Sequence, residues 1–209
     1  RENISTKELQ LPPEQVAMKY ANQCKPVIEN IKPSRVPEKM QLTGKQYGTG
    51  DGSFKYDGQK NNRQKLIIGM VADMIVYEKL QEDQNIENVK WVSRYAARVE
   101  PAYSGYNPHG TDGLGYDIEY TDRTGNKNFV EVKGKADNQN CFEITIPEIE
   151  KAKQEKKFYH IIFVTNTLNE ELRRIKYLGN LFMFEEGEDL LNNKRFSAVT
   201  KSYEIRFKE

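Results

Sequence analysis

Apolar residues follow a helical spacing in the stretch that begins at Lys65. They recur at the positions that share one face of an α-helix, which are Leu66, Ile67, Met70, Val71, Met74 and Ile75. The spacing predicts a helix from Lys65 to about Leu80, with one face packed against a core.

Shorter apolar or alternating stretches predict a sheet around that helix. The predicted strands cover 88–94, 115–120, 128–133, 142–145 (a short one) and 158–165, and a second helix covers 146–156. The main elements from Lys65 therefore run helix-strand-strand-strand-helix-strand, which predicts an α/β domain with a mixed sheet flanked by helices. The alternation at 199–207 adds a C-terminal strand at a sheet edge.

Proline and glycine divide the chain before the first long helix. Prolines interrupt 1–43, which predicts short helices that form an N-terminal extension or part of a neighbouring domain. Residues 44–63 are rich in glycine and polar side chains and predict a linker. The principal domain is then 64–209, and its polar loop at 95–114 is long enough to favour a functional role.

Composition narrows the class of protein. No apolar run among the 209 residues reaches the length of a membrane span, and the two cysteines lack metal-ligand spacing. We therefore expect a cytoplasmic protein with ordinary thiols. The first residue is Arg1 rather than Met, which favours a piece of a longer protein. The net charge of +1 provides no general basic footprint, so nucleic acid would be bound by local patches.

The segment 115–135 contains the most informative chemistry. If Arg123 to Gly125 form a three-residue hairpin loop with Gly125 in the left-handed conformation, Asp117 lies opposite Glu131. Opposed Cβ atoms in an antiparallel pair are about 4.5–5.5 Å apart. Period-two alternation places Lys133 on the face of Glu131, and Tyr116 on the face opposite Asp117.

Two opposed carboxylates repel each other, whereas a hard divalent cation between them is attracted to both. Mg²⁺, or Mn²⁺ in its place, is typically held by one or two carboxylates with water and substrate phosphate. Lys133 is suited to orient or deprotonate a metal-bound water, or to hold a phosphate oxygen. The alternative is a solvated hairpin with ordinary surface charges, and a one-residue slip of the turn would separate the two acids.

A larger set of residues resembles a known family. The set comprises Gly115 to Ile118, Val130 to Gly134, Thr145 with Glu148 and Ala152, and Tyr159 to Val164. Over about 65–165 this pattern resembles the NO VEIN C-terminal domain family, which in turn resembles the restriction-endonuclease-like PD-(D/E)XK nucleases. Tyr116 stands where the superfamily motif has proline.

The resemblance implies a restriction-endonuclease-like core with extra C-terminal strands. It also implies that Asp117 and Glu131 hold the metal, together with the Val132 carbonyl, and that Lys133 is the catalytic lysine. DNA is favoured over RNA as the substrate. The implied setting is a module of a larger protein, such as a defence or restriction factor, beside an ATPase or helicase domain. A homodimer would supply the two sites that a double-strand break needs.

Glu148 has two interpretations. Thr145 and Glu148 have the spacing of a helix capping box, with Pro147 in the first turn, and we favour that role. The resemblance also makes Glu148 an additional site residue. Asp73 and Glu78 flank the apolar helix face and either reach the site or pair at the surface.

Basic and imidazole side chains complete the candidates. Lys135, Lys151 and Lys153 either contact the phosphate backbone or belong to a solvated face. His109 in the long loop either stacks on a base or covers an apolar edge, and His160 is expected to be a hydrogen-bonded core histidine.

Three functions remain open at this point. The first is a metal-dependent nuclease. The second is a catalytically inactive domain of the same fold that binds nucleic acid or a partner protein. The third is a structural domain that supports a catalytic partner, and it predicts neither metal affinity nor salt-dependent nucleic-acid binding.

Overall fold

A computed structural model describes residues 4–22, 27–29, 58–93, 96, 113–185 and 189. Its helices are α1 (Pro13–Ala21), α2 (Gly58–Glu82) and α3 (Ile146–Glu155). Its strands are β1 (Val27–Glu29), β2 (Ile86–Trp91), β3 (Ile118–Asp122), β4 (Lys127–Gly134), β5 (Tyr159–Thr165) and β6 (Arg174–Gly179). Short 3₁₀ helices cover Glu8–Gln10 and Lys156–Phe158.

The strands form one six-stranded sheet in the order β1-β6-β5-β4-β3-β2. The β4/β5 and β1/β6 pairs are parallel, and the other pairs are antiparallel. The crossover helix α3 joins β4 to β5, because parallel neighbours cannot be joined by a tight turn. This is the mixed α/β architecture that the order of apolar segments predicts.

Alternation along the central strands gives each face of the sheet its own core. Val130 and Val132 of β4 join α1 and α2 in the larger apolar cluster. Phe129, one position away, belongs to a second cluster with Ala152 of α3 and Tyr159 of β5. Glu131 and Lys133 share the face of Phe129, so they lie on the α3 side of the sheet.

The described part of the N-terminal extension packs onto the larger core. Leu9, Val16 and Ala17 are buried in the same cluster as α2. The buried side chain of Arg173 donates from Nε to the Thr167 carbonyl at 2.9 Å and from Nη2 to the Tyr20 carbonyl at 3.0 Å. The hydrogen bond from Arg173 to Tyr20 therefore links residues 4–22 to the loop that precedes β6.

Several predicted boundaries need correction. The helix α2 begins at Gly58 rather than Lys65, so 58–63 are helical and do not belong to the linker. Residues 142–145 form no strand, and Phe142 and Ile144 pack instead against the apolar cluster that includes Ala152 of α3. The strand β6 was not predicted. The predicted strand at 199–207, and the loop at 95–114 except Ala96, Gly113 and Leu114, lie outside the described residues.

Across the described part of the chain, no helix combines the length and apolar character needed to cross a membrane.

The close approach of α2 to β4 generates a stability prediction. A Cβ added at Gly134 would lie 2.9 Å from both the Ala72 Cβ and the Ile68 carbonyl oxygen. We expect Gly134→Ala to lower the free energy of unfolding by about 1–3 kcal/mol through overpacking. Its control is Gly69→Ala, where no atom lies within 4 Å, and alanine should stabilise the helix by about 0.5–1 kcal/mol. Urea unfolding measures both, and equal midpoints would contradict the close packing.

Candidate functional site

The hairpin of β3 and β4 has the predicted register. Ile118 pairs with Val130 and Tyr120 with Asn128, which continues to Asp117 opposite Glu131. Gly125 has φ +81° and its N–H donates to the Asp122 carbonyl at 2.9 Å, as the loop of three residues requires. The predictions of the register and of the left-handed glycine are confirmed.

Asp117 lies immediately before β3, and its carbonyl accepts the Val92 N–H at 2.8 Å. Its N–H donates to the Val130 carbonyl at 2.9 Å, and its carboxylate Oδ2 accepts the N–H of Val132 at 2.8 Å. Asp117 is therefore held to both residues that flank Glu131. Because the N–H and C=O of one strand residue point toward the same neighbour, the Val132 carbonyl also lies on the Asp117 side of β4.

The predicted orientation of Tyr116 is wrong. Its ring packs edge-on against Phe129 with centroids 4.9 Å apart, and its hydroxyl donates to Glu119 at 2.9 Å. Both partners lie on the α3 face, whereas the alternation predicted the face of Ile118. Residues 115–117 precede the strand, so period-two alternation does not extend to Tyr116.

Glu131 and Lys133 form a buried ion pair on the α3 face. Lys133 Nζ lies 2.7 Å from Glu131 Oε1 and 2.8 Å from Glu148 Oε2. Burial raises the pKa of Glu131, the charge of Asp117 raises it further, and Lys133 acts in the opposite direction. Burial lowers the pKa of Lys133, but the two glutamates outweigh it and hold that pKa above its usual value. Lys133 is therefore a protonated donor at neutral pH.

Glu148 forms the predicted helix cap and also contacts Lys133. Its Oε2 accepts the N–H of Thr145 at 2.9 Å, which forms the predicted capping box at the start of α3. The same oxygen accepts from Lys133. The cap is confirmed, and it places this carboxylate beside the hairpin.

A cavity of about 390 Å³ opens between the hairpin and the first turn of α3. Its lining includes all three carboxylates described above and consists of Gly115, Tyr116, Asp117, Glu131, Thr145, Pro147 and Glu148. The cavity is thus acidic, with Lys133 adjoining it as the partner of two of the acids.

The donors that line this cavity fit a hard divalent cation. Asp117 and Glu131 supply carboxylate oxygens from adjacent strands, and Glu131 is only 4 % exposed. Within the described ranges, no three His, Cys, Asp or Glu side chains converge so as to hold a metal by themselves. Two carboxylates with water and phosphate are nonetheless the usual ligand set of Mg²⁺.

The remaining predicted acids lie away from the cavity lining. Asp73 is buried on α2, and α2 packs on the opposite face of the sheet. Glu78 is half-buried on the same helix, and burial raises its pKa while Arg173 lowers it. The structure brings neither residue into the lining of the cavity.

The predicted phosphate-contacting lysines differ in their surroundings. Lys151 pairs with Glu155 at 2.6 Å, and its Nζ lies 4.3 Å from the centre of the Phe129 ring. Lys135 lies 3.6 Å from the Cys141 sulfur, and Lys153 is exposed. Lys151 is therefore engaged within the protein, whereas Lys153 presents its charge to solvent.

Of the two predictions about histidines, the structure tests only the one about His160. His160 Nε2 lies 3.0 Å from the Asn128 side-chain oxygen, and burial lowers the pKa of His160 to about 4. His160 is thus the hydrogen-bonded, neutral histidine that its strand predicts. His109 lies outside the described residues.

Two residues of the site, Gly115 and Tyr159, were not identified from the sequence as candidate site residues. Tyr159 is fully buried and donates its hydroxyl to the Gly115 carbonyl at 2.9 Å. Burial raises the pKa of Tyr159, and the nearby charges of Glu131, Glu148 and Asp117 add to that rise. The sequence signals were the glycine two residues before Asp117 and the tyrosine at the start of the buried strand.

Comparison with known proteins gives one match. A family model described as Protein NO VEIN, C-terminal matches residues 72–178, just over half of the 209-residue chain. The matched range contains the hairpin, α3 and the whole lining of the cavity. No curated protein and no solved structure matches the chain.

The raised pKa of Glu131 predicts a pH-dependent effect of Glu131→Gln. Above the ordinary carboxyl pKa, the folded chain retains a proton on Glu131 that the unfolded chain releases. The wild-type free energy of unfolding therefore falls as pH rises, by at most about 1.4 kcal/mol per pH unit from this group. Glutamine removes this dependence, so the stability of the variant relative to wild type should increase from pH 5 to pH 8.

Urea unfolding at pH 5, 6.5 and 8 tests this dependence. Glu150→Gln is the matched control, because Glu150 is an exposed glutamate of α3 outside the cavity lining. A difference between Glu131→Gln and wild type that is the same at all three pH values would contradict the prediction.

Proposed function

The chain belongs to the NO VEIN C-terminal family, and we propose that its acidic cavity is the active site of a divalent-metal-dependent nuclease. The observation that carries the proposal is the opposed pair Asp117 and Glu131 with Lys133 in register beside them. Such a pair is electrostatically costly in a merely structural hairpin. The proposed reaction is hydrolysis of nucleic-acid phosphodiester bonds, with DNA favoured over RNA.

In the proposed site, one set of residues binds the metal ion and Lys133 orients the attacking water. Asp117, Glu131 and the Val132 carbonyl are the proposed ligands of Mg²⁺ or Mn²⁺. When bound, such a cation neutralises charge on the phosphate and increases the acidity of a water. The hydrogen bond from Val132 N–H fixes the carboxylate of Asp117 before any ligand arrives.

Lys133 supplies the positive charge of the proposed site. As a protonated donor between Glu131 and Glu148, it is placed to orient the attacking water and to donate to a phosphate oxygen. Glu148 holds the ammonium group from the side of α3, so the orientation of Lys133 does not depend on Glu131 alone. The exposed Lys153, together with Lys135, is the proposed contact to neighbouring phosphates.

The proposal includes the fold family and the setting of the domain. The element order α2-β2-β3-β4-α3-β5 is the order expected for a restriction-endonuclease-like core, and this supports that assignment. We propose a cytoplasmic module of a larger defence or restriction protein, beside an ATPase or helicase domain. Because one metal site cuts one strand, a double-strand break would require a homodimer.

A second candidate is a metal-independent binding domain. It is favoured by one observation: in the described residues, Lys133 already neutralises part of the charge of Glu131 and Glu148. Such a domain would bind nucleic acid or a partner protein without a cation, and Lys133→Ala would leave that binding unchanged.

The nuclease proposal predicts loss of metal binding in Asp117→Asn. Asparagine keeps an oxygen that can accept the Val132 N–H but removes the charge that attracts the cation. We expect Mn²⁺ affinity, measured by isothermal titration calorimetry, to fall at least about tenfold, since the charged ligand is replaced by a neutral one. Cleavage of labelled single- and double-stranded DNA and RNA should fall about 100-fold or more.

Glu87→Gln is the control for this measurement, because Glu87 is an exposed acid of β2 outside the cavity lining. Equal Mn²⁺ affinity and equal cleavage in wild type and Asp117→Asn would exclude the proposed site. Nucleic-acid binding without Mn²⁺, and without cleavage, would favour the second candidate.

A further inference from the structure

Three elements meet at Gly115, two residues before Asp117. A Cβ at Gly115 would lie 2.7 Å from the Pro147 carbonyl oxygen and 2.9 Å from the Lys151 Cβ, so only glycine permits this approach to α3. Its φ of +76° also favours glycine. The backbone of 115–117 is therefore pressed against the start of α3 on one side.

From the sheet side, the carbonyl of Gly115 is held by the hydroxyl of Tyr159. The Tyr159 hydroxyl donates to the Gly115 carbonyl at 2.9 Å, and this contact joins residues 44 positions apart in the sequence. Tyr159 itself is fixed, because its side chain is fully buried among Phe129, Ala152 and Ile161. The direction of the hydroxyl is thus set by the core under α3.

We propose that Tyr159 is a positioning residue whose hydroxyl, through the Gly115 carbonyl, holds the Asp117 carboxylate opposite Glu131. The catalytic meaning of this role rests on the proposed nuclease function, whereas the positioning itself does not. The backbone of Asp117 is fixed at one point by the neighbouring strands, because its N–H donates to the Val130 carbonyl at 2.9 Å and its carbonyl accepts the Val92 N–H at 2.8 Å. The contact at Gly115 supplies a second fixed point for the segment.

This role has a readout that needs neither metal nor substrate. The Asp117 carboxylate accepts the Val132 N–H, so exchange of that amide with solvent reports how firmly Asp117 is held. In Tyr159→Phe the ring still fills its place, and only the hydroxyl is lost. We expect the Val132 amide to exchange about two- to tenfold faster by NMR, the range that one ordinary hydrogen bond supports.

The amides of β5 provide the internal reference, since a general loss of stability would accelerate them as well. Tyr177→Phe is the matched control, because it removes a tyrosine hydroxyl that bonds Tyr120 on the α2 face of the sheet. We expect Val132 exchange to keep its wild-type rate in Tyr177→Phe. The Mn²⁺ affinity of Tyr159→Phe should fall by the same two- to tenfold factor.

The outcomes separate this inference from the nuclease proposal. Wild-type exchange at Val132 in Tyr159→Phe would overturn the positioning role, whatever the metal data show. Faster exchange at Val132 with no Mn²⁺ binding by the wild type would support the positioning role and count against the nuclease. If Tyr159→Phe does not fold, Gly115→Ala decides, because it displaces the same backbone from α3 while Tyr159 remains. Unchanged exchange at Val132 in folded Gly115→Ala would then overturn the inference.

Discussion

Next to the residue that precedes β3, the backbone N–H of Val132 requires a hydrogen-bond acceptor, and the carboxylate of Asp117 provides it. An unpaired amide in the sheet would cost about 1–3 kcal/mol, so this contact holds an acidic side chain at the edge of β4. Glu131 lies opposite in the register and is buried. The charge pattern of the cavity follows from this one contact, because the backbone itself brings the two acids together.

The remainder of the α3 face offsets the repulsion that results. Lys133 contacts Glu131 and Glu148, so two of the three carboxylates that line the cavity share one ammonium group. A core optimised for stability would replace these groups with apolar side chains of similar volume. Their presence beside a well-packed sheet is one of the observations that support the proposed active site. Stability therefore explains the packing of the sheet but does not explain the charged residues of the cavity.

The sequence predicted correctly those features that depend on neighbouring residues, namely the turn and the register of the hairpin. Turn chemistry at Gly125 fixed the register, and the register placed Glu131 correctly, because a side-chain period of two leaves little freedom once the turn is known. The orientation of Tyr116 could not be predicted this way, since it depends on where β3 begins. Residues 142–145 had strand composition but form no strand, and their apolar side chains pack instead against the cluster that includes Ala152. The contact of Tyr159 with Gly115 joins distant segments, which periodicity does not encode.

The double use of one oxygen of Glu148 affects how related sequences should be interpreted. Because that oxygen both caps α3 and accepts from Lys133, a relative that lacked the proposed nuclease activity would still need the glutamate for its helix. A glutamate at this position is therefore poor evidence that a relative is active. Asparagine at position 117 would satisfy the Val132 amide equally well without the charge. For the proposed nuclease function the informative position is thus 117, where the backbone accepts either aspartate or asparagine and the proposed metal binding requires aspartate.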